Sequence, residues 1–373
     1  MRVHIEAPGP AGHGVRRHAE RVADLVDAAS GHSEPGSAES GRAEPGRAES
    51  GRAELGRAES GRAESGRVER GRAGPGAADL THAQFTDALW GPDVASAAEA
   101  FVRRAAELPR PLVVTLHDVP GGDPDPARDA RRIAGYRRVV EAADLVIVSA
   151  RHEAAKARSF GADPVVIPLP LPAVPAAGPP PTWADRPTVV VLGFVYPGKG
   201  HAEAIAAAAA HHGRPRVVAA GAVSPGHEPL WTELGAQAAA AGVELVPTGP
   251  LSDADLVAAA RAATVPVAPN RGVSASGSLL TWLACGRAPL AARGAFACEV
   301  AADHPDHVRL YEPGALEDAV LAALGDPRST HTAPPRWPDV GALHRAAYLR
   351  AVDPRAAYPR AAYLRASTGV PAC

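Results

Sequence analysis

The feature that most constrains this chain is the alternation of short apolar runs with longer segments of helical periodicity. The apolar runs at residues 112–116 and 145–148, for example, flank a helical segment at residues 127–142. Strands and helices alternate in this way when helices cover both faces of a parallel sheet. The same pattern begins again after a proline-rich stretch. We therefore predict an α/β protein with two doubly wound, Rossmann-like domains that face each other across a cleft.

The predicted domain organisation has two interruptions. Residues 31–76 repeat the pentapeptide Gly-Arg-Ala-Glu-Ser, with Pro or Leu variants and almost no apolar side chains, so we predict a disordered insertion there. A proline-rich stretch separates the two repeats of the strand–helix pattern and is predicted to be extended. The predicted parts are a first domain at residues 1–170, a linker at 171–187, a second domain at 188–335, and a C-terminal helix (340–352) and tail within 336–373.

The composition favours small-molecule chemistry over nucleic-acid binding. Of 373 residues, 46% are hydrophobic, and the formal net charge is -2, so no large basic surface is expected. The three cysteines are an odd number, and we find no signal-peptide pattern and no apolar run of the roughly 18 residues that span a bilayer. We therefore expect reduced thiols and a cytoplasmic protein with at most peripheral contact to the inner membrane face. No partner protein is indicated.

Ligands are expected at the loops that follow the strands, because open α/β sheets bind ligands at their carboxyl edge. In the first domain these positions include His82, His117 and the acceptor-side candidates Gly12, His13 and Gly14 of a glycine-rich loop. In the second domain the corresponding loops lie at residues 194–200, 248–251 and 270–277. Two sheets that face each other would bring both sets of loops to one cleft.

The segment Gly193-Phe-Val-Tyr-Pro-Gly-Lys-Gly200 has the spacing of a Walker A loop up to Lys199. A Walker A loop then needs Ser or Thr to bind magnesium. Gly200 and His201 follow instead, and no Walker B strand is evident, which argues against a P-loop ATPase. What remains is an anion site, in which helix N-terminal amides and one ammonium hold a diphosphate without metal. The Ser274, Ser276 and Gly277 run at the start of a later helix suits phosphate in the same way.

Asp123 and Asp125 form an Asp-x-Asp pattern that is an alternative metal site for a nucleotide sugar. The two residues stand among Gly and Pro in a loop, so we favour a turn over a metal site and predict neither a metal nor another cofactor.

Six segments match one known family in their order and spacing: residues 8–14, 113–118, 143–149, 193–201, 247–253 and 283–290. Together they resemble the family 4 glycosyltransferases of the GT-B fold. The resemblance implies that a nucleotide diphosphate sugar is the donor substrate. It also implies that Lys199 binds the donor diphosphate, that residues 248–251 lie against the base, and that His117 faces the transferred sugar.

The chain departs from this family at three positions of the donor site. Phe194 stands where the family has an arginine, and Val273 and Thr281 stand where it has two glutamates. Lys199 would therefore lack a partner at the diphosphate. Thr281 is a weaker acceptor for the ribose hydroxyls than a carboxylate would be.

We therefore expect a metal-independent glycosyltransferase that transfers a hexose-like sugar, with retention as the resemblance implies, to an acceptor (a glycan, lipid or small molecule) held by the first domain. Two alternatives remain: a non-catalytic subunit that binds a nucleotide sugar or glycan, and a sugar-nucleotide epimerase. The candidate catalytic residues are His117 and Lys199, and the candidate donor-binding residues are Lys199, Gly198, Gly200, Thr248, Gly249, Leu251, Ser274, Ser276, Gly277 and Thr281.

Overall fold

The computed structural model describes residues 1–9, 13–28, 78–270 and 272–356. Within them, the chain forms two parallel sheets with helices packed against both, as the alternating pattern predicts. The pentapeptide repeat at residues 31–76, Gly12 and the tail beyond residue 356 lie outside the described residues.

The first sheet has five described strands in the order β1-β2-β3-β4-β5, all paired in parallel. Strands β2, β3 and β4 are buried along their whole length, as expected for strands covered on both faces. The elements are β1 Val3–Glu6, α1 Gly14–Ala28, β2 Leu80–Phe85, α2 Asp87–Trp90, α3 Val94–Ala105, β3 Leu112–Leu116, α4 Pro126–Ala142, β4 Leu145–Val148, α5 Arg151–Ser159 and β5 Val165–Val166.

The second sheet has the order β11-β10-β9-β6-β7-β8. The chain enters at β6, continues outward on one side through β7 and β8, and then returns to the other side of β6 with β9. The elements are β6 Thr188–Leu192, α6 His201–Ala210, β7 Arg216–Ala220, α7 Glu228–Ala241, β8 Leu245–Pro247, α8 Asp253–Ala262, β9 Val265–Ala268, α9 Gly277–Ala284, β10 Leu290–Ala292, α10 Ala295–Asp303, β11 Arg309–Tyr311 and α11 Leu316–Gly325.

The last described helix, α12 (Val340–Val352), has the predicted bounds but packs back on the first sheet. Its Tyr348 lies in one core cluster with Val22 of α1, Leu80 of β2 and Val113 of β3. The chain therefore crosses from the second sheet back to the first before residue 340.

The position of His82 corrects one expectation. His82 is fully buried inside β2, where its ring bonds Tyr348 and Thr115, so it is not presented to the cleft. The reason is register: β2 continues three residues beyond His82 to Phe85. The ring therefore packs beneath α12 and does not reach the loop at the carboxyl end of β2.

The two domains contact each other through α5 of the first and α10 of the second. The Glu299 carboxylate accepts hydrogen bonds from the backbone N–H groups of Arg151 (2.8 Å) and His152 (2.7 Å). The Arg151 guanidinium also pairs with Asp303 at 2.8 Å. A carboxylate at a helix N-terminus satisfies amides that otherwise have no partner in the helix. Helix α10 was not predicted from the sequence and follows β10 after only two residues.

Among the described residues, no helix is both long enough and apolar enough to cross a membrane. Cys285 is a free, buried thiol.

Candidate functional site

The point where the second sheet reverses its strand order defines the candidate site. Strand β6 lies between β7 and β9, and the loops that follow β6 and β9 run in opposite directions from this point. A crevice opens between such loops at the carboxyl edge of the sheet and is the usual ligand position in this class of fold. The loop after β6 carries Lys199, and the loop after β9 carries Asn270 and Ser274.

The turn between β6 and α6 needs glycine at several positions. Gly193, Gly198 and Gly200 have φ values of 100°, 81° and 94°, a region that disfavours residues with a side chain. At Gly200 a Cβ atom would lie 2.4 Å from Cγ of Pro269 in the neighbouring loop. The two loops can therefore approach this closely only because residue 200 has no side chain.

Lys199 is 6% exposed, and its side chain is held by a hydrogen bond to the first turn of α9. Its Nζ donates to Ser278 Oγ at 3.0 Å and lies 5.9 Å from the centroid of the Tyr196 ring. Burial lowers the pKa of Lys199 to about 8. Within the part of the chain that the structure describes, no carboxylate lies within 4.0 Å of this ammonium. A buried cation without an anionic partner is costly and suits an anionic ligand.

A small pocket of about 10 Å³, partly open to solvent, adjoins Lys199. Ser276 caps α9 by accepting a hydrogen bond from Leu279 N at 3.1 Å, and its hydroxyl lies 3.2 Å from that of Ser278. The pocket thus lies beside Lys199, next to the start of α6, and beside the first turn of α9, where helix amides favour negative charge. Both polar and apolar residues line the pocket, among them Lys199, Asn270, Val273, Ser276, Ser278 and Phe296.

Two further contacts organise the loop after β9. Asn270 Nδ2 donates to the Tyr196 hydroxyl at 2.7 Å, which joins this loop to the turn after β6. Ser274 Oγ donates to the carboxylate of Glu153 on α5, so the same loop contacts the first domain.

Glu153 was not predicted from the sequence as a residue of the site. The one signal was an acidic residue in the first turn of a helix that follows a buried strand, which is common at ordinary helix starts.

His117 follows β3, as predicted, and is half-buried. Its Nε2 donates to Gln84 Oε1 at 2.8 Å, and burial lowers its pKa well below the usual range, with a smaller contribution from nearby His13. The imidazole is therefore neutral at pH 7, with Nδ1 left as an acceptor. Among the acceptor-side candidates, His13 has a local contact, since its Nδ1 accepts from Val15 N at 3.2 Å. Gly14 opens α1 with free space beside its Cα.

The structure does not bring the predicted base-binding segment into the Lys199 pocket. Thr248, Gly249 and Leu251 follow β8, which β7 separates from β6. Thr248 Oγ1 accepts from Gly221 N at 3.0 Å and donates to Gly249 O at 2.9 Å, while Leu251 packs against the core. Thr281 is also engaged locally, since its hydroxyl donates to Gly277 O at 2.9 Å within α9.

Asp125 and Asp123 have local partners of their own. Asp125 caps α4 by accepting from Ala127 N at 2.9 Å and Arg128 N at 3.2 Å. Asp123 accepts from Asp125 N at 3.0 Å. In the described part of the chain, no group of three or more metal-ligating side chains is present. The geometry at these two residues is that of a turn and a helix cap.

Comparisons with known proteins identify the fold. No family model matches the chain, and no curated protein is significantly similar to it in sequence. The solved structure of HepE from Anabaena in complex with UDP and glucose is similar at 18% identity, with a TM-score of 0.57 and 74% of each chain covered. The HepE complex with UDP-glucose matches at 19% identity, with a TM-score of 0.54 over 74% of this chain and 75% of HepE.

A sucrose-phosphate synthase from Thermosynechococcus elongatus is also similar, at 19% identity and a TM-score of 0.53, over 74% of this chain and 70% of the synthase. At these identities the likeness is one of fold. The two parallel-sheet domains have the GT-B arrangement that the sequence motifs predict.

Proposed function

We propose that this protein is a glycosyltransferase that uses a nucleoside diphosphate sugar as donor and transfers the sugar to an acceptor held by the first domain. The observation that carries the proposal is the buried Lys199 ammonium, which has no carboxylate partner among the described residues and lies between the starts of α6 and α9. Proteins of the same fold have been seen with UDP and UDP-glucose, which supports a donor of this class.

In this proposal, catalysis is mainly electrostatic. The diphosphate gains negative charge as the bond to the sugar breaks. Lys199, the hydroxyls of Ser276 and Ser278, and the first amides of α9 are fixed in place before the reaction, so they stabilise that charge without reorganising. This set of donors is cationic and neutral and fits a diphosphate directly, so the proposal needs no metal or other cofactor. Retention of configuration is part of the proposal and rests on the family resemblance.

The remaining predicted residues have assigned places in the same proposal. Gly198 and Gly200 shape the turn that holds the diphosphate, and Ser274 and Gly277 belong to the facing wall. Neutral His117 faces the transferred sugar from the first domain, beside the acceptor-side loop with His13 and Gly14. The base extends towards residues 248–251 at the end of β8, and Thr281 has no more than a weak contact with the ribose.

Replacing Lys199 tests the proposal. We expect Lys199→Ala to lower kcat/KM for the cognate donor by roughly 10²–10³-fold, the scale of losing one preorganised donor to a developing charge. Calorimetry with UDP should show weaker binding in the same variant. Lys156→Ala is the matched control, because Lys156 is a partly exposed lysine of α5. Undiminished turnover by Lys199→Ala would overturn the assignment.

One observation favours a second candidate, a non-catalytic protein that binds a nucleotide sugar. Val273 contributes an apolar side chain to the Lys199 pocket, and the Thr281 hydroxyl is satisfied within its own helix. Donor turnover separates the two candidates: binding of several sugar nucleotides without hydrolysis or transfer would favour the non-catalytic protein. Release of an epimerised sugar without any acceptor would instead indicate an epimerase.

A further inference from the structure

We infer that Glu153 of the first domain is a positioning residue for the donor site of the second domain, because its carboxylate holds Ser274 in the loop beside the Lys199 pocket. The part of this inference that concerns donor binding rests on the proposed function. Its structural part, the restraint of the loop by Glu153, stands on contacts alone.

Glu153 is placed by its own domain. It is 1% exposed in the first turn of α5, and its Oε2 accepts from the Ser149 amide at 2.7 Å. This bond ties the carboxyl group to the end of β4, so the side chain has a fixed direction. Burial is the largest influence on its ionisation and raises the pKa of Glu153 to about 7. The structure therefore maintains a buried carboxyl group at the domain boundary, which is costly unless its hydrogen bonds are satisfied.

The second oxygen of Glu153 is satisfied by the other domain. Ser274 Oγ donates to Oε1 across 121 positions of sequence. Ser274 stands between Val273 and Ser276, both of which line the Lys199 pocket. A restraint on Ser274 is therefore a restraint on that wall of the pocket.

The neighbouring residues of α5 show that this contact is part of a larger interdomain clasp, which we define as the bonds of Glu153 to Ser274 and of Arg151 and His152 to Glu299. His152 Nδ1 lies 2.7 Å from Glu299 Oε1, in addition to the two amide bonds that Glu299 accepts. Each domain thus offers one carboxylate to the other at the start of α5. Separation of α5 from α10 and from the loop after β9 would break both sets of bonds.

The clasp links closure of the cleft to the shape of the donor pocket. When the domains close, Glu153 fixes the loop after β9, and the pocket wall at Val273 and Ser276 becomes ordered for the ligand. When they open, Ser274 loses this partner. Ordering a binding site before the ligand arrives reduces the entropy cost of binding, so donor affinity is expected to be higher in the closed arrangement.

Four single variants, together with the double variant of Glu153→Ala and Ser274→Ala, test this inference in the full chain. Glu153→Ala removes the bond from the first domain and Ser274→Ala removes it from the second. Glu153→Gln keeps both hydrogen bonds, since its amide oxygen accepts from Ser149 N and its amide nitrogen donates to Ser274 Oγ. Glu141→Gln, at an exposed position of α4, is the surface control. Thermal unfolding of each variant shows which of them fold.

The first measurement needs no ligand. Hydrogen exchange of the amides in residues 272–284 should become faster in Glu153→Ala and Ser274→Ala and stay at the wild-type rate in Glu153→Gln and Glu141→Gln. Unchanged exchange in both alanine variants would overturn the inference, whatever the protein binds.

The second measurement is UDP affinity by calorimetry. We expect about tenfold weaker binding in each alanine variant, the scale of losing one hydrogen bond to a charged group. The double variant should bind no more weakly than Glu153→Ala, because the bond that Ser274→Ala removes is already absent from Glu153→Ala. Wild-type UDP affinity in Glu153→Gln would show that the hydrogen bonds of residue 153, and not its charge, support UDP binding.

Two outcomes distinguish this inference from the proposed function. Additive losses, or unchanged UDP affinity with faster exchange, would overturn the link between the clasp and the donor. A wild-type protein that binds no nucleoside diphosphate would overturn the proposed function, and the exchange experiment would still decide whether Glu153 positions the loop.

Discussion

At the residue scale, Glu153 shows how strongly the environment of a side chain sets its chemistry. The sequence presents an ordinary glutamate near a helix start, whereas the fold buries it between two domains and raises its pKa to about 7, chiefly by desolvation. The charged and titratable groups that act on it are His152 on the same helix and Asp118 at the end of β3, while the second domain offers the Ser274 hydroxyl.

The ionisation of Glu153 gives a testable dependence of stability on pH. The folded protein binds this proton more tightly than the unfolded chain, in which the pKa is near 4.5. The contribution is therefore fully present below about pH 4.5 and is lost as pH rises through about 7, by about 3 kcal/mol in total. Glu153→Gln removes this dependence. We expect the difference in Tm between wild type and Glu153→Gln to change between pH 5 and pH 8; parallel curves would contradict the assigned cause.

At the scale of elements, the turn between β6 and α6 depends on glycine for two reasons: its backbone has positive φ angles, and a neighbouring loop packs closely against it. Gly198 and Gly200 both adopt positive φ, but only Gly200 is pressed against another loop, at Pro269. The turn can therefore be predicted from the glycine spacing. The close approach of the loop after β9 cannot, because Pro269 is distant in sequence.

This difference predicts unequal effects of alanine at the two glycines. In Gly198→Ala only the positive φ angle is unfavourable, since a Cβ atom at this position would meet open space. We expect the free energy of unfolding to fall by about 1 kcal/mol. Gly200→Ala also creates a contact of 2.4 Å with Pro269, and we expect a cost of roughly 3 kcal/mol or more together with weaker UDP binding. Thermal and denaturant unfolding measure both variants. Equal losses would show that the turn, not the loop contact, sets the requirement.

At the scale of the whole molecule, the return of α12 to the first sheet makes the C-terminal region part of the first domain's core. Gln84 Nε2 lies 3.1 Å from His82 Nε2 and acts as donor there, so His82 Nδ1 carries the ring proton and donates to the Tyr348 hydroxyl at 2.8 Å. This buried bond joins positions 266 residues apart and ties α12, the last described helix, to β2 of the first sheet.

Tyr348→Phe tests this connection. The change leaves the buried His82 N–H without an acceptor and should cost about 1–3 kcal/mol, seen as a lower Tm for the transition that unfolds the first domain. Leu349→Ala is the control, because Leu349 is 55% exposed on the same helix and should change stability by less than about 0.5 kcal/mol. Equal Tm values for wild type and Tyr348→Phe would show that the bond contributes nothing.

The sequence by itself determined the features that depend on neighbouring residues: the alternating strands and helices, the glycine-shaped turn around Lys199, and the bounds of α12. These follow from periodicity and local backbone preference, which act over a few positions. Only the tertiary structure decided that His82 is covered by α12, that Thr248 bonds Gly221 instead of lining the Lys199 pocket, and that Glu153 meets Ser274. Such contacts depend on strand order and domain packing, which bring together residues far apart in the chain and set their burial.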